Sequence, residues 1–84
     1  MPSLVFTARA RRDLRGLPAA DRARILERLK AYATAPDAGG IDVVPVQGTA
    51  GGSRLRSGDW RALFTVSGDQ MTVFRVGHRR EIYR

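Results

Sequence analysis

Arg54, Arg56 and Arg61 flank the turn Ser57-Gly58-Asp59, and a second basic group, His78-Arg79-Arg80 with Tyr83 and Arg84, lies at the end of the chain. Side chains of these types can break a phosphodiester bond of RNA without a metal. A base takes the proton of the 2′-hydroxyl, donors hold the phosphorane charge, and an acid protonates the leaving 5′-oxygen. Guanidinium groups supply donors in planar forks that match phosphate oxygens in pairs. His78 offers an imidazole, the group suited to acid or base work near neutrality. Tyr83 can stack on a nucleobase or donate a proton. Because the attacking oxygen belongs to the ribose, RNA would be cut and DNA would not.

The overall charge agrees with an anionic partner. The net charge is +7, and all but Lys30 of the fifteen basic residues are arginine. Such an excess points to nucleic acid or an acidic protein. The basic residues before position 31 are read as solvated helix faces. Eighty-four residues with 43% hydrophobic content predict a single globular domain over residues 1–84. No apolar run approaches the ~20 residues of a membrane span, and the first residues do not read as a signal peptide. With no cysteine and one histidine, neither a disulfide framework nor a thiolate or histidine metal cluster is expected. No cofactor and no metal are anticipated, and a cytoplasmic location fits.

Leu4-Val5-Phe6 suits a short strand, and Thr7 can cap the helix after it. Ala10, Leu14 and Leu17 form a helical stripe that Gly16 interrupts or ends. Pro18 is placed to open a second helix. Its apolar stripe is Ile25, Leu26, Leu29, Tyr32 and Ala33, with Arg22, Arg24, Glu27, Arg28 and Lys30 outward, and Thr34-Ala35-Pro36 ends it. The period then changes to alternation. Strands are predicted at Ile41–Val46 (an edge, given Pro45), Ser53–Arg56, Trp60–Val66 and Met71–Val76, with a loop at Gly48–Gly52. The fold class is α+β, in the order β-α-α-β-β-β-β, with a helical hairpin on one face of a small, mainly antiparallel sheet.

Gly58-Asp59 and Gly68-Asp69 suit two-residue hairpin turns, since glycine accepts positive φ at the first position. These turns set registers in which Arg56 opposes Arg61, Leu55 opposes Ala62, Phe64 opposes Val73 and Arg61 opposes Val76. Leu55, Trp60, Ala62, Phe64, Val66, Met71 and Val73 should then face the helices. Arg54, Arg56, Arg61, Thr65, Thr72 and His78 should share the other face. Like charges so close repel unless an anion sits between them. Arg75 breaks the alternation and is read as an edge or bulge position. Leu63, Phe74 and Val76 are read as half-exposed apolar groups on the arginine face, able to bind a partner segment.

The segments Phe6-Thr7, Leu17-Pro18, Arg54-Leu55-Arg56-Ser57-Gly58-Asp59-Trp60-Arg61 and Val76-Gly77-His78-Arg79-Arg80-Glu81-Ile82-Tyr83 together resemble the RelE/ParE toxin superfamily of bacterial toxin–antitoxin modules. In that superfamily the RelE branch cleaves mRNA on the ribosome and the ParE branch inhibits DNA gyrase. The resemblance favours the RelE branch. It implies catalytic roles for Arg54, Arg61, Arg79 and Tyr83, with His78 at a position that is basic in relatives. Arg56, Arg80 and Arg84 would bind RNA. Gly52 stands where relatives carry a further basic residue, which leaves His78 or Arg54 as the base. The implied partners are a cognate antitoxin and mRNA on the ribosome. The alternatives are a gyrase inhibitor and a basic module that binds RNA without cutting it.

Overall fold

A computed structural model describes residues 3–46 and 51–82. Tyr83, Arg84 and the loop positions Gly48, Thr49 and Ala50 lie outside the described residues. The elements are β1 (Ser3–Phe6), α1 (Ala8–Arg15), α2 (Ala19–Thr34), β2 (Val43–Pro45), β3 (Gly52–Ser57), β4 (Trp60–Ser67) and β5 (Gln70–His78). No described helix is long and apolar enough to cross a membrane.

Helix α1 begins where Thr7 stands in extended backbone and its Oγ1 accepts the Ala10 N–H at 3.1 Å. This pairs one of the donors that a first helical turn leaves open. The Gly16 and Leu17 N–H groups bond back to the Asp13 and Leu14 carbonyls and close the helix. Pro18 immediately precedes α2, and Arg22 N–H bonds the Pro18 carbonyl at 2.9 Å. Ala10 and Leu14 of α1 and Ile25, Leu29 and Ala33 of α2 are buried against Leu55, Ala62, Phe64, Met71, Val73 and Val76 of the sheet. The Tyr32 and Phe64 rings lie 5.5 Å apart.

The strands run in the order β1-β5-β4-β3-β2. β1 pairs parallel with β5, matching Leu4 to Met71 and Phe6 to Val73, so the apolar face continues to that edge. The other pairs are antiparallel. The β3–β4 register is the expected one, with Ser57 opposite Trp60, Arg56 opposite Arg61 and Arg54 opposite Leu63. Both hairpins turn on glycine at positive φ, +60° at Gly58 and +57° at Gly68, and among the described residues no other residue type takes positive φ. Positive φ at the first central residue alone is the type II′ pattern.

The second hairpin holds its expected register only up to Phe64 opposite Val73. Leu63 then opposes Arg75, so Phe74 has no partner on β4 and forms a bulge. One inserted residue reverses the side of everything after it. Arg61 opposes Gly77 in place of Val76. Arg75 and Gly77 turn to the face away from the helices. Val76 and His78 turn toward the helices, with Val76 3% exposed in the core and His78 opposite Trp60.

Other departures from the sequence reading have simple causes. Val66 is 53% exposed, because it lies beside the β4–β5 turn where the helices do not cover the sheet. Leu63 is buried on the arginine face, over which the end of the chain folds back. The predicted strand at Ile41–Val46 shortens to Val43–Pro45. Replacing Leu29, fully buried between the layers, with alanine is expected to destabilise the fold by about 2–5 kcal/mol. Val66→Ala should change stability by no more than about 0.5 kcal/mol. Urea denaturation of the two variants checks both figures.

Candidate functional site

The face away from the helices carries the basic residues in two neighbouring cross-strand rows. One row runs Val44, Arg54, Leu63, Arg75 from β2 to β5; the next runs Arg56, Arg61, Gly77. Arg54 and Arg56 are on this face because they alternate with buried Leu55 on β3. Arg61 is on it because it precedes buried Ala62 on β4. The first hairpin turn therefore places Arg54, Arg56 and Arg61 together, as the sequence predicts.

Arg56 and Arg61 are direct cross-strand partners, yet their charged heads separate. Arg61 is only 8% exposed, and its Nη1 donates to the carbonyls of Gly58 at 2.8 Å and Trp60 at 3.1 Å. Carbonyl dipoles thus offset the burial of its charge. Arg56 turns the other way, to Asp42, with Nη1 to Oδ2 at 3.7 Å. The same carboxylate reaches Arg54 through Oδ1 at 3.6 Å. Asp42 is held beside β3 by its own carbonyl, which accepts the Arg56 N–H at 2.9 Å. Arg54 keeps one donor unsatisfied: its Nε is buried without a hydrogen-bond partner. A fork of two guanidiniums closed by one carboxylate is the geometry of an anion seat.

After Gly77 the chain turns back toward this face. The Glu81 and Ile82 N–H groups both bond the His78 carbonyl at 2.9 Å. Arg79 is brought to the β3–β4 turn, where its N–H donates to the Asp59 carbonyl at 2.8 Å and its Nε lies 3.6 Å from Asp59 Oδ1. Arg61 on β4 and Arg79 just past β5 thus meet the same turn. Arg80 is exposed, its N–H donating to His78 Nδ1 at 3.2 Å. Ile82 is 1% exposed and packs against Gly77. Arg75, half-buried, donates from Nη1 to the Ile82 carbonyl at 2.7 Å.

His78 does not join the arginines. It lies on the helix side of the sheet, its ring edge-on to Trp60 at 5.5 Å, in a groove lined by Arg12, Asp13, Leu17 and Val76. The physical reason is the Phe74 bulge, which reverses the faces after it. Tyr83 and Arg84 lie outside the described residues. The described residues hold no cluster of three or more histidine or acidic side chains able to bind a metal.

Three features of the site were not assigned by sequence reasoning. Asp42 lies in the run before β2 and carries no motif. Arg75 gave a signal, its violation of the alternating pattern, and that violation marked the bulge. Thr7 was read as a helix cap only. Its N–H also bonds the Val73 carbonyl at 3.0 Å, and its Oγ1 bonds the Phe74 carbonyl at 3.3 Å.

The fold matches known toxins over nearly its full length. A chain of the RelB–RelE antitoxin–toxin complex from Methanococcus jannaschii aligns with a TM-score of 0.79 and 26% identity, covering 94% of each chain. One from the RelBE2 toxin–antitoxin complex of Mycobacterium tuberculosis aligns with a TM-score of 0.75 and 28% identity, over 94% of this chain and 100% of that one. A chain of the chromosomal ParDE system of P. aeruginosa shares the fold, with a TM-score of 0.68 and 21% identity over 93% and 96% of the two chains. No curated protein sequence matches the chain. The family model for the ParE toxin of the type II toxin–antitoxin system parDE matches residues 4–83. With helical hairpin, sheet and arginine face all inside that match, the chain belongs to this family of the RelE/ParE superfamily and is the toxin of a type II toxin–antitoxin system.

Proposed function

We propose that this toxin is a ribosome-dependent mRNA endonuclease that cuts through the substrate's own 2′-hydroxyl and so inhibits translation. The observation that carries this reading is the gathering of Arg54, Arg56 and Arg61 on one sheet face, with Arg79 delivered to the turn beside them. Two matched chains above a quarter identical come from RelB–RelE and RelBE2 complexes, which supports the same branch. The 2′-hydroxyl gives its proton to a base outside this chain, solvent or the ribosome, as its oxygen attacks phosphorus; the P–O5′ bond breaks, and a 2′,3′-cyclic phosphate and a 5′-hydroxyl form. Guanidiniums of Arg54, Arg61 and Arg79 would hold the extra negative charge of the phosphorane. Tyr83 would deliver the proton to the 5′-oxygen, and Arg56, Arg80 and Arg84 would bind flanking phosphates. A cognate antitoxin with an acidic segment would neutralise the same face in the resting complex.

Gyrase inhibition is favoured by one specific observation. His78, one of the two candidate bases, faces the other side of the sheet, and the other, Arg54, is a guanidinium that does not give up its proton. Induction of the toxin without antitoxin separates the readings. Primer extension on a translated message should reveal discrete cuts ending in 2′,3′-cyclic phosphate, reduced on the order of 10²-fold or more in Arg79→Ala and Tyr83→Phe. Intact message with a DNA-damage response would select gyrase. Normal growth would select a binding module. Arg79 is exposed at a loose ion pair, so its variant folds, whereas Arg61→Ala would remove a nearly buried side chain and its hydrogen bonds to the Gly58 and Trp60 carbonyls.

Asp42 sets a second expectation. Its carboxylate occupies the Arg54–Arg56 fork, so an RNA phosphate must displace it. Asp42→Asn should tighten binding to a short single-stranded RNA by about 1.5- to 5-fold, matching the ~0.2–1 kcal/mol of an exposed ion pair. It should also steepen the salt dependence measured by fluorescence anisotropy.

A further inference from the structure

We propose that Arg75 is a positioning residue that anchors the C-terminal segment over the arginine face, and that Thr7, at the start of α1, turns Arg75 to that face. The inference rests on the nuclease reading for its catalytic consequence and on the fold alone for the anchoring.

Successive carbonyls of a regular strand point to opposite sides. Those of Val73 and Phe74 both point to Thr7: the first accepts its N–H at 3.0 Å, the second its Oγ1–H at 3.3 Å. Thr7 therefore holds the bulge in place while the same Oγ1 accepts from Ala10 and caps α1. Past the bulge, Asp13 Oδ2 accepts the Val76 N–H at 3.0 Å, so α1 grips the strand at two points. Without the bulge Arg75 would point into the helix–sheet core, where an arginine has no carbonyl or carboxylate of the tail to meet.

Turned outward, Arg75 reaches the Ile82 carbonyl at 2.7 Å. Arg79 lies three residues earlier in the same turn, which the Glu81 and Ile82 N–H groups close on the His78 carbonyl. Gly77 completes the seat. A Cβ built there would meet Ile82 Cδ1 at 3.1 Å, so the side chain of Ile82 occupies the space that any other residue would fill. Holding Ile82 thus sets where Arg79 stands. Displacing such a group by about 1 Å is enough to cost on the order of 10²-fold in rate.

The test uses Arg75→Met, which keeps an unbranched apolar stem and removes the donors, together with Thr7→Val and Thr7→Ser. Amide hydrogen exchange of segment 79–82 is read by mass spectrometry, and cleavage by purified toxin on ribosomes programmed with a defined message is read as kcat and KM. Arg75→Met and Thr7→Val should each exchange the segment at least about tenfold faster. Each should lower kcat on the order of 10- to 100-fold, with KM for the programmed ribosome within about twofold. Thr7→Ser, which retains the hydroxyl, should restore both. Unchanged exchange in Arg75→Met would overturn the anchoring whatever the activity. Faster exchange with unchanged kcat would overturn the positioning role. Loss in Thr7→Ser equal to that in Thr7→Val would remove Thr7 from the account. If Arg75→Met does not fold, Thr7→Val carries the same two readouts. If the wild-type toxin leaves the message intact, the nuclease reading fails, while the exchange measurement still decides the anchor.

Discussion

The arrangement of this toxin depends on one unpaired residue in β5. Phe74 adds a residue that β4 does not match, and because side chains alternate with a period of two, that single addition inverts every position after it. Val76 becomes core, Gly77 becomes a seat for Ile82, Arg75 faces out, and His78 goes to Trp60. Backbone groups freed by the irregularity are not left in the protein interior, where each would cost about 1–3 kcal/mol. Thr7 takes the Phe74 carbonyl and Asp13 takes the Val76 N–H. The bulge persists because the adjoining helix satisfies it.

A second constraint is charge. Arg56 and Arg61 face each other across two strands, a destabilising arrangement if both heads remained between them. The fold separates them by giving each a different partner type. Arg61 folds back on carbonyls of its own turn, and Arg56 leans to a carboxylate contributed from outside the strand. Arg54 shares that carboxylate and retains a buried Nε donor with nothing to meet. The face is thus neutralised loosely enough that a phosphate or an acidic side chain can replace the internal contacts. Ion pairs at 3.6–3.7 Å, each with at least one side chain about half exposed, contribute little to stability. This separates the proposed function of the face from the stability of the core.

The core is a single layer of contact between two helices and one side of the sheet. On the other side Leu63 is buried, and the C-terminal turn sets Ile82, also buried, against Gly77 and Arg75. A small domain has few ways to close both faces of a sheet. Here the covering segment carries part of the candidate site, so packing and function share residues: Gly77 is small to admit Ile82, and Arg75 holds the carbonyl that follows.

Much of this was legible in the sequence. Apolar spacing located the helices, glycine–aspartate pairs located both hairpin turns, and alternation from the first turn placed Leu55 and Ala62 inward with Arg54, Arg56 and Arg61 outward. These properties are local, decided within a few residues by backbone sterics and side-chain period. The motif resemblance extended them to family and fold. What tertiary structure alone decided lies beyond that range. The bulge at Phe74 exists because α1, more than sixty residues earlier in the chain, supplies Thr7 and Asp13 to hold it. The arginine fork is filled because Asp42 comes beside β3 only when β2 pairs. Side-chain alternation can be read along a strand, but a register shift is an agreement between distant segments, and only the folded chain brings those segments together.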